Sequence, residues 1–281
     1  MSRLLLCTDL DRTLLPNGPQ SESPDARPRF AALAARPEVT LGYVTGRHHE
    51  LVQQAIANYR LPVPDYVIAD VGTTLFRVED GAWRVDEAWR GRLALDWTGH
   101  ARDDVRRLLG EFAHLRPQPA DRQGEFKLSF FLPLYRDADA LLADIARQLA
   151  ASGLAARAIY SVDEPNGIGL VDVLPASASK RHAIEFLAEE LGFATDEMLF
   201  AGDSGNDLDV LASPVPAVLV ANANDAVRTA AIARSEEEGQ RDRLHVASGG
   251  LLGMNGNYAA GILEGVAHFH PEAIAWFAKA A

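Results

Sequence analysis

Residues 4–13 read Leu-Leu-Leu-Cys-Thr-Asp-Leu-Asp-Arg-Thr, a short apolar run that ends on two aspartates, Asp9 and Asp11. An unbroken apolar run of this length, followed at once by polar turn chemistry, predicts a buried strand over residues 4–8. In an open α/β sheet the carboxyl ends of the strands face the ligand crevice, so both carboxylates stand where a substrate would bind. Taken alone, Asp-x-Asp-x-Thr is equally an ordinary polar turn in which Asp11 caps the backbone.

A second constellation has the same placement. Gly202-Asp203-Ser204-Gly205-Asn206-Asp207 follows an apolar strand and precedes a helix. Its glycines permit a tight backbone path, and Asp203 and Asp207 offer the hard oxygen ligands that Mg²⁺ takes. If Asp9, Asp11, Asp203 and Asp207 cluster, their mutual repulsion raises some pKa values unless a divalent ion compensates. The plain alternative is an Asx-rich turn at a capped helix start.

Two further groups fit one site. Thr45-Gly46-Arg47 follows the strand at residues 39–45, where the Thr45 hydroxyl and the Gly46 N–H can meet a phosphoryl oxygen at a helix N-terminus. A bare strand-to-helix turn reads the same way. Lys180 follows Ser177-Ala178-Ser179, a capping-type helix start, and a cation in a first helical turn opposes the helix dipole. An anionic neighbour such as Asp9 or a phosphate would explain it, whereas the commoner fate of a lysine is a solvated surface.

The pattern along the chain assembles these pieces. Strand-like runs at residues 4–8, 39–45 and 66–69 alternate with helix-like segments at 30–35 and 48–59. Strand-like residues 198–201 and 217–220 alternate with a helix after Asn206 and another at 225–233. Between these halves lie a hairpin-like start, helices at 101–115 and 138–151, an alternating strand at 126–132 and further strands ending at 170–174. The reading is an α/β fold with a doubly wound parallel-sheet core from residues 1–80 and 176–281, interrupted by an α+β cap at 81–175. Residues 235–242 read as a polar surface loop.

Composition excludes several function classes. The 281 residues carry 27 Lys and Arg against 39 Asp and Glu, so the formal charge is 27 − 39 = −12 and duplex nucleic acid is not an expected partner. No apolar stretch approaches the roughly 20 residues that span a bilayer, and the N-terminus lacks signal-peptide succession, so the expectation is a cytoplasmic chain without a membrane partner. The one cysteine, Cys7, cannot form an internal disulfide and reads as a small buried side chain. His48-His49 and His268-x-His270 lack partners at zinc spacing, and Trp83, Trp89, Trp97 and Trp276 read as core or joint residues.

Asp9-x-Asp11-x-Thr13, Thr45, Lys180 and Gly202-Asp203-x-x-x-Asp207, in that order, resemble the four motifs of the haloacid dehalogenase (HAD) superfamily of phosphohydrolases. The inserted module resembles the α/β cap of the subclass containing sucrose-phosphate phosphatase. Val44-Thr-Gly-Arg47, Phe126-Lys-Leu-Ser129, Val171-Asp-Val-Leu-Pro175 and residues 260–269 extend that likeness over most of the chain. Residues 249–257 depart from it, being longer and richer in glycine.

The resemblance implies an Mg²⁺-dependent phosphomonoesterase acting on a sugar phosphate through an aspartyl-phosphate. Asp9 is then the nucleophile and Asp11 the general acid and base. Asp9, the Asp11 backbone carbonyl and Asp203 hold Mg²⁺, with Asp207 supporting them. Thr45, Gly46, Arg47, Lys180 and Asn206 form the phosphate-binding set. In the cap, Lys127, Ser129 and Asp172 are the substrate-binding candidates, since alternation puts Lys127 and Ser129 on one face of a strand. An ordinary solvent face is the competing reading. The expected substrate is sucrose 6-phosphate, with mannosylfructose phosphate and glucosylglycerol phosphate as alternatives, and a sugar-phosphate synthase is the candidate protein partner. A different class stays open: a non-enzymatic phospho-responsive module like a receiver domain, or a regulatory HAD-fold partner of that synthase.

Overall fold

A computed structural model describes residues 3–134, 137–163 and 166–280 of the chain. In chain order its strands are β1 (Leu4–Thr8), β2 (Val39–Val44), β3 (Tyr66–Ala69), β4 (Thr74–Glu79), β5 (Ala82–Val85), β6 (Arg116–Pro117), β7 (Leu128–Leu132), β8 (Ala156–Asp163), β9 (Ile168–Pro175), β10 (Met198–Gly202), β11 (Ala217–Leu219) and β12 (Leu244–Val246). One eight-stranded sheet has the order β12-β11-β10-β1-β2-β3-β4-β5, and its members from β12 to β3 pair in parallel. Register sets Thr8 level with Ala201 on one side and Tyr43 on the other. Chain order runs outward in both directions from β1, so the switch point that opens a crevice lies where β1 and β10 end.

Both faces of these strands are covered, which is why they read as unbroken apolar runs. Leu4, Leu6, Leu41, Tyr43, Leu199 and Ala201 share one buried cluster with Phe30 and Leu33 of the helix Ala26–Ala34 and Ile262, Leu263 and Val266 of the helix Ala259–Phe269. Gly265 allows the second helix to lie close on β11, because a Cβ there would stand 2.5 Å from Val218 Cγ1. Leu5 and Cys7, on the opposite face of β1, are equally buried. Burial pushes the Cys7 thiol up to about 12, so it stays protonated and inert. Among the described residues no helix is long and apolar enough to cross a membrane.

Contacts divide the chain into two compact units: the residues up to Gly72 with Phe76–Arg84 and those from Lys180 onward, and Thr73–Leu75 with Val85–Ser179. The division cuts through β4. Val78 N–H donates to the Asp65 carbonyl at 2.8 Å within the first unit, whereas the Leu75 carbonyl accepts from Asp86 N–H at 2.8 Å within the second.

The second unit has its own antiparallel sheet in the order β6-β7-β9-β8. Leu128, Phe130, Leu132, Val171 and Val173 face a core completed by Val105, Leu109, Ile145 and Leu149, from the helices Arg102–Leu109 and Ala138–Ala151. A further helix, Glu87–Asp96, starts where Asp86 Oδ1 accepts from Trp89 N–H at 2.9 Å.

Several elements differ from the sequence reading. The helix expected at 101–115 stops at Leu109, where Gly110 caps it. The strand expected from Phe126 starts at Leu128, because Lys127 closes a turn by accepting from Gly124 N–H at 3.0 Å. Residues 235–237 are helical rather than loop, since the helix Asp225–Glu237 continues through the buried Ser235. The hairpin at the start of the insert joins the eight-stranded sheet, with Asp80 and Gly81 both left-handed as a two-residue hairpin turn requires.

Candidate active site

The parallel register of β1 and β10 fixes the centre of the site. Asp9 N–H donates to the Ala201 carbonyl at 2.9 Å, so the residues that follow the two strands, Asp9 and Asp203, emerge side by side. Asp9, Asp203 and Asp207 are buried, and one carboxylate oxygen from each lies within 4.8 Å of the others. Lys180 opens the helix Lys180–Leu191 and sends its Nζ into this group, donating to Asp9 Oδ1 at 2.8 Å, Asp207 Oδ1 at 2.7 Å and Asn206 Oδ1 at 2.9 Å. The anionic neighbour that its placement asked for is therefore present twice.

Asp207 is held differently from the other two. Its Oδ2 accepts from the backbone N–H groups of Asp203 at 3.1 Å and Ser204 at 3.0 Å, while Oδ1 accepts from Lys180. Glycine at 202 is required by this arrangement, since a Cβ would come within 2.7 Å of the Asp207 carboxylate. The turn and the functional site in the hexapeptide are thus one object. Asp207 shapes the loop and anchors the lysine, while Asp9 and Asp203 present oxygens toward each other.

Thr13 joins these two. Its hydroxyl lies 3.2 Å from Asp203 Oδ1 and 3.5 Å from Asp9 Oδ2, so the last residue of the first motif serves the shared carboxylate centre. Sequence alone gives Thr13 no role of its own. Arg12 is a second addition, with Nε 3.6 Å from Asp203 Oδ2.

Burial pushes the Asp9 carboxyl up, and Asp207 and Asp203 add to the rise against the pull of Lys180. Asp203 is pushed up to about 7 by burial and by Asp207. Burial works against the Lys180 ammonium, but Asp207 and Asp9 outweigh it and raise its pKa. Three buried carboxylates around one ammonium leave an anionic surplus in a place where water cannot screen it. Hard oxygen donors with excess negative charge are the donor set of a divalent cation such as Mg²⁺.

Asp11 points elsewhere. Its carboxylate receives Arg47 Nε at 2.7 Å and Nη2 at 2.5 Å, together with Asn17 Nδ2 at 2.7 Å. Burial alone would raise the Asp11 pKa, but Arg47 and Asn17 outweigh it and hold the carboxyl below its ordinary value. The structure therefore places Arg47 on Asp11. Thr45 is buried one residue beyond β2, and its Oγ1 accepts from Arg47 N–H at 3.2 Å. Gly46 lies between them, and a Cβ there would meet only Val71 Cγ2 at 3.8 Å. The turn is laced to the residues after β3: Asp70 N–H donates to the Arg47 carbonyl at 3.0 Å and Val71 N–H to the Thr45 carbonyl at 3.1 Å.

In the second unit, Ser129 and Asp172 are register partners on β7 and β9, and Ser129 Oγ donates to Asp172 Oδ1 at 2.5 Å. Lys127 is buried just ahead of β7. On the face carrying Ser129, the buried serine is thus tied to an Asp172 that stays partly exposed.

The model of the sucrose-6F-phosphate phosphohydrolase family matches residues 2–270. The chain belongs to this family. This sucrose-6F-phosphate phosphohydrolase family member is an enzyme, a phosphatase of the HAD superfamily. It is 48% identical over 274 residues to a protein of Nitrosococcus oceani named as a HAD-like hydrolase, a match covering 98% of this chain and 74% of the relative. It is 31% identical over 204 residues to the mannosylfructose-phosphate phosphatase of Agrobacterium fabrum, covering 72% of this chain and 76% of that one. Among solved structures, the sucrose-phosphatase of Synechocystis sp. PCC6803, determined in complex with sucrose and phosphate, matches with a TM-score of 0.73 and 25% identity over 96% of this chain and 98% of that one.

Proposed function

We propose that the phosphatase hydrolyses the phosphate monoester of a phosphorylated disaccharide or glycoside, sucrose 6-phosphate first, with Asp9 as nucleophile and Mg²⁺ as cofactor. The observation that carries the mechanism is the buried Asp9 carboxylate held at 2.8 Å by Lys180 inside a three-carboxylate cluster. Family membership and the match to the sucrose-phosphatase complex support the substrate class. The Agrobacterium relative supports mannosylfructose phosphate as the second candidate.

Asp9 attacks as the carboxylate, which burial and its acidic neighbours disfavour and which Lys180 on Oδ1, together with a cation held beside it, would restore, so no general base is needed. Its attack forms the Asp9 O–P bond as the bond from phosphorus to the sugar oxygen breaks. Asp11, in its acid form, gives its proton to that oxygen. Water then forms a bond to phosphorus, the Asp9 O–P bond breaks, and Asp11 takes the water's proton. Paired with Arg47, Asp11 is in the base form, so this contact orients it for the second half of the cycle. Lys180, Asn206 and the turn at Thr45 and Gly46 hold phosphoryl oxygens by charge and hydrogen bonds. Asp9, the Asp11 carbonyl and Asp203 would hold Mg²⁺, which offsets repulsion between carboxylate and phosphate dianion. Lys127, Ser129 and Asp172 are proposed to select the sugar.

The test is phosphate release from sucrose 6-phosphate, mannosylfructose phosphate, glucosylglycerol phosphate, hexose 6-phosphates and an aryl phosphate, each with Mg²⁺ and with chelator. Mg²⁺-dependent preference for one disaccharide or glycosyl phosphate is expected. Hydrolysis of the aryl phosphate alone would remove the sugar assignment, and no hydrolysis of any ester would favour a regulatory role beside a synthase, which co-purification would then examine.

A further inference from the structure

Arg12 stands between Asp11 and Thr13 with φ at 58°, a left-handed conformation that strains a residue bearing a Cβ. Glycine would adopt it freely. Arginine there brings a guanidinium beside Asp203, so the loop carries a charge at the cost of a strained backbone, and something must hold that backbone in place.

Two asparagines outside the four motifs do so. Asn17 Oδ1 accepts from Arg12 N–H at 2.8 Å, while Asn17 Nδ2 donates to Asp11 Oδ1 at 2.7 Å. Asn222 Nδ2 donates to the Arg12 carbonyl at 2.6 Å, while Asn222 Oδ1 accepts from Tyr258 N–H at 2.8 Å. Each amide faces a donor with its oxygen and an acceptor with its nitrogen, so reversing either would set like groups against each other. Asn222 is buried, and Tyr258 is itself left-handed at φ 52°, with its hydroxyl donating to the Gln20 carbonyl at 3.1 Å. Asn255 and Asn257 close the same frame by donating through Nδ2 to the Ser21 carbonyl at 2.9 and 3.0 Å. The segment 255–258 thereby grips the loop that follows the first motif.

We infer that Asn17 and Asn222 are positioning residues for the phosphatase reaction: from the two sides of Arg12 they fix the left-handed turn that aims Asp11 and seats Thr13 between Asp9 and Asp203. The inference rests on Asp9 and Asp11 being the reacting carboxylates. It also gives the C-terminal segment a task, since Tyr258 orients Asn222 and Asn222 orients the nucleophile loop.

The test compares Asn17→Ala, Asn222→Ala, Arg12→Gly and the double variant Arg12→Gly/Asn222→Ala with the unaltered chain and with Asp9→Asn. Readouts are kcat and KM for an aryl phosphate and the thermal midpoint. Asn17→Ala and Asn222→Ala should each lower kcat at least about tenfold with KM changed less than about twofold, as misplaced reacting groups do. The double variant should recover toward the kcat of Arg12→Gly, because glycine needs no clamp to reach positive φ. A purely structural role would not be relieved by removing a side chain at position 12. Asn17 is exposed, so Asn17→Ala decides the matter if Asn222→Ala does not fold. Wild-type kcat in a folded asparagine variant, or a double variant no better than Asn222→Ala, overturns the inference. If Asp9→Asn is dead while the asparagine variants are unimpaired, the clamp alone falls; if Asp9→Asn stays active, both readings fall.

Discussion

Arg47 grips Asp11 with two arms of its guanidinium, Nε to Oδ2 at 2.7 Å and Nη2 to Oδ1 at 2.5 Å, and so ties the turn after β2 to the turn after β1. Two parallel bonds fix both distance and plane, which a lysine ammonium cannot reproduce. Arg47→Ala and Arg47→Lys should therefore both lower kcat, by about ten- to hundredfold if the lost contact to a charged group counts as usual. Steady-state kinetics on two or more esters checks this. A rise in KM shared by every ester, with kcat intact, would assign Arg47 to phosphate binding instead.

Removing the charge from Asp9 tests the nucleophile directly. Asn has the same shape, and Lys180 keeps Asp207 and Asn206 as acceptors, so Asp9→Asn should fold with a thermal midpoint close to that of the parent. Turnover should vanish in a phosphate-release assay. Activity near wild type would refute the assignment.

Asp203 and Asp207 should separate into different phenotypes. Asp203 presents its carboxylate to Asp9 through Thr13, so Asp203→Asn should shift the Mg²⁺ activation curve to higher concentration and leave the fold intact. Asp207 is fully committed to Lys180 and to two backbone N–H groups, and it is completely buried. Asp207→Ala leaves Lys180 with Asp9 and Asn206 but strips the backbone N–H groups of Asp203 and Ser204 of their acceptor, so it should cost about 1–3 kcal/mol of stability for each donor left unpaired. Urea unfolding and metal titration of the two variants distinguish these outcomes. Two variants with identical behaviour would contradict the division of roles.

The parts of this site that sequence makes legible are those fixed by chain position. Asp9 and Asp203 each follow an apolar strand, and parallel pairing of β1 with β10 then brings them together. Lys180 is legible because a cation in a first helical turn needs an anion, which Asp9 and Asp207 supply. Arg47 on Asp11, Asn222 on Arg12 and Tyr258 on Asn222 are not legible, since each joins segments distant in sequence through side-chain directions that no local pattern encodes. Ser235 misleads for a related reason: its hydroxyl bonds back to the Ile232 carbonyl at 2.8 Å, so a polar residue sits inside a helix without ending it.

The candidates in the second unit predict a split between substrates. Ser129 and Asp172 are already paired, and Lys127 is buried ahead of the same strand. Lys127→Ala should raise KM for a disaccharide phosphate more than it slows hydrolysis of a small aryl phosphate, which offers no sugar hydroxyls to recognise. Parallel KM and kcat measurements on both esters decide it. Equal effects on the two would remove Lys127 from sugar recognition.

Acid stability gives a last prediction, away from the catalytic centre. The Glu264 carboxylate accepts from Ser248 N–H at 2.9 Å and Gly249 N–H at 2.8 Å, and lies 3.0 Å from His245 Nε2. Burial would raise its pKa, but His245 and the two backbone donors outweigh burial and lower it. A carboxyl whose folded pKa lies below its unfolded value of about 4.3 adds stability above that value and loses it as pH falls through the folded one. Glu264→Gln keeps the shape and removes the charge. It should cost about 1–3 kcal/mol at pH 7, where a charged acceptor is replaced by a neutral one, and the difference from the parent should shrink as pH falls below the unfolded value of about 4.3. Urea unfolding at pH 7 and at pH 4 measures both quantities. A constant difference across that range would mean that the carboxylate charge does not stabilise the glycine-rich segment it holds.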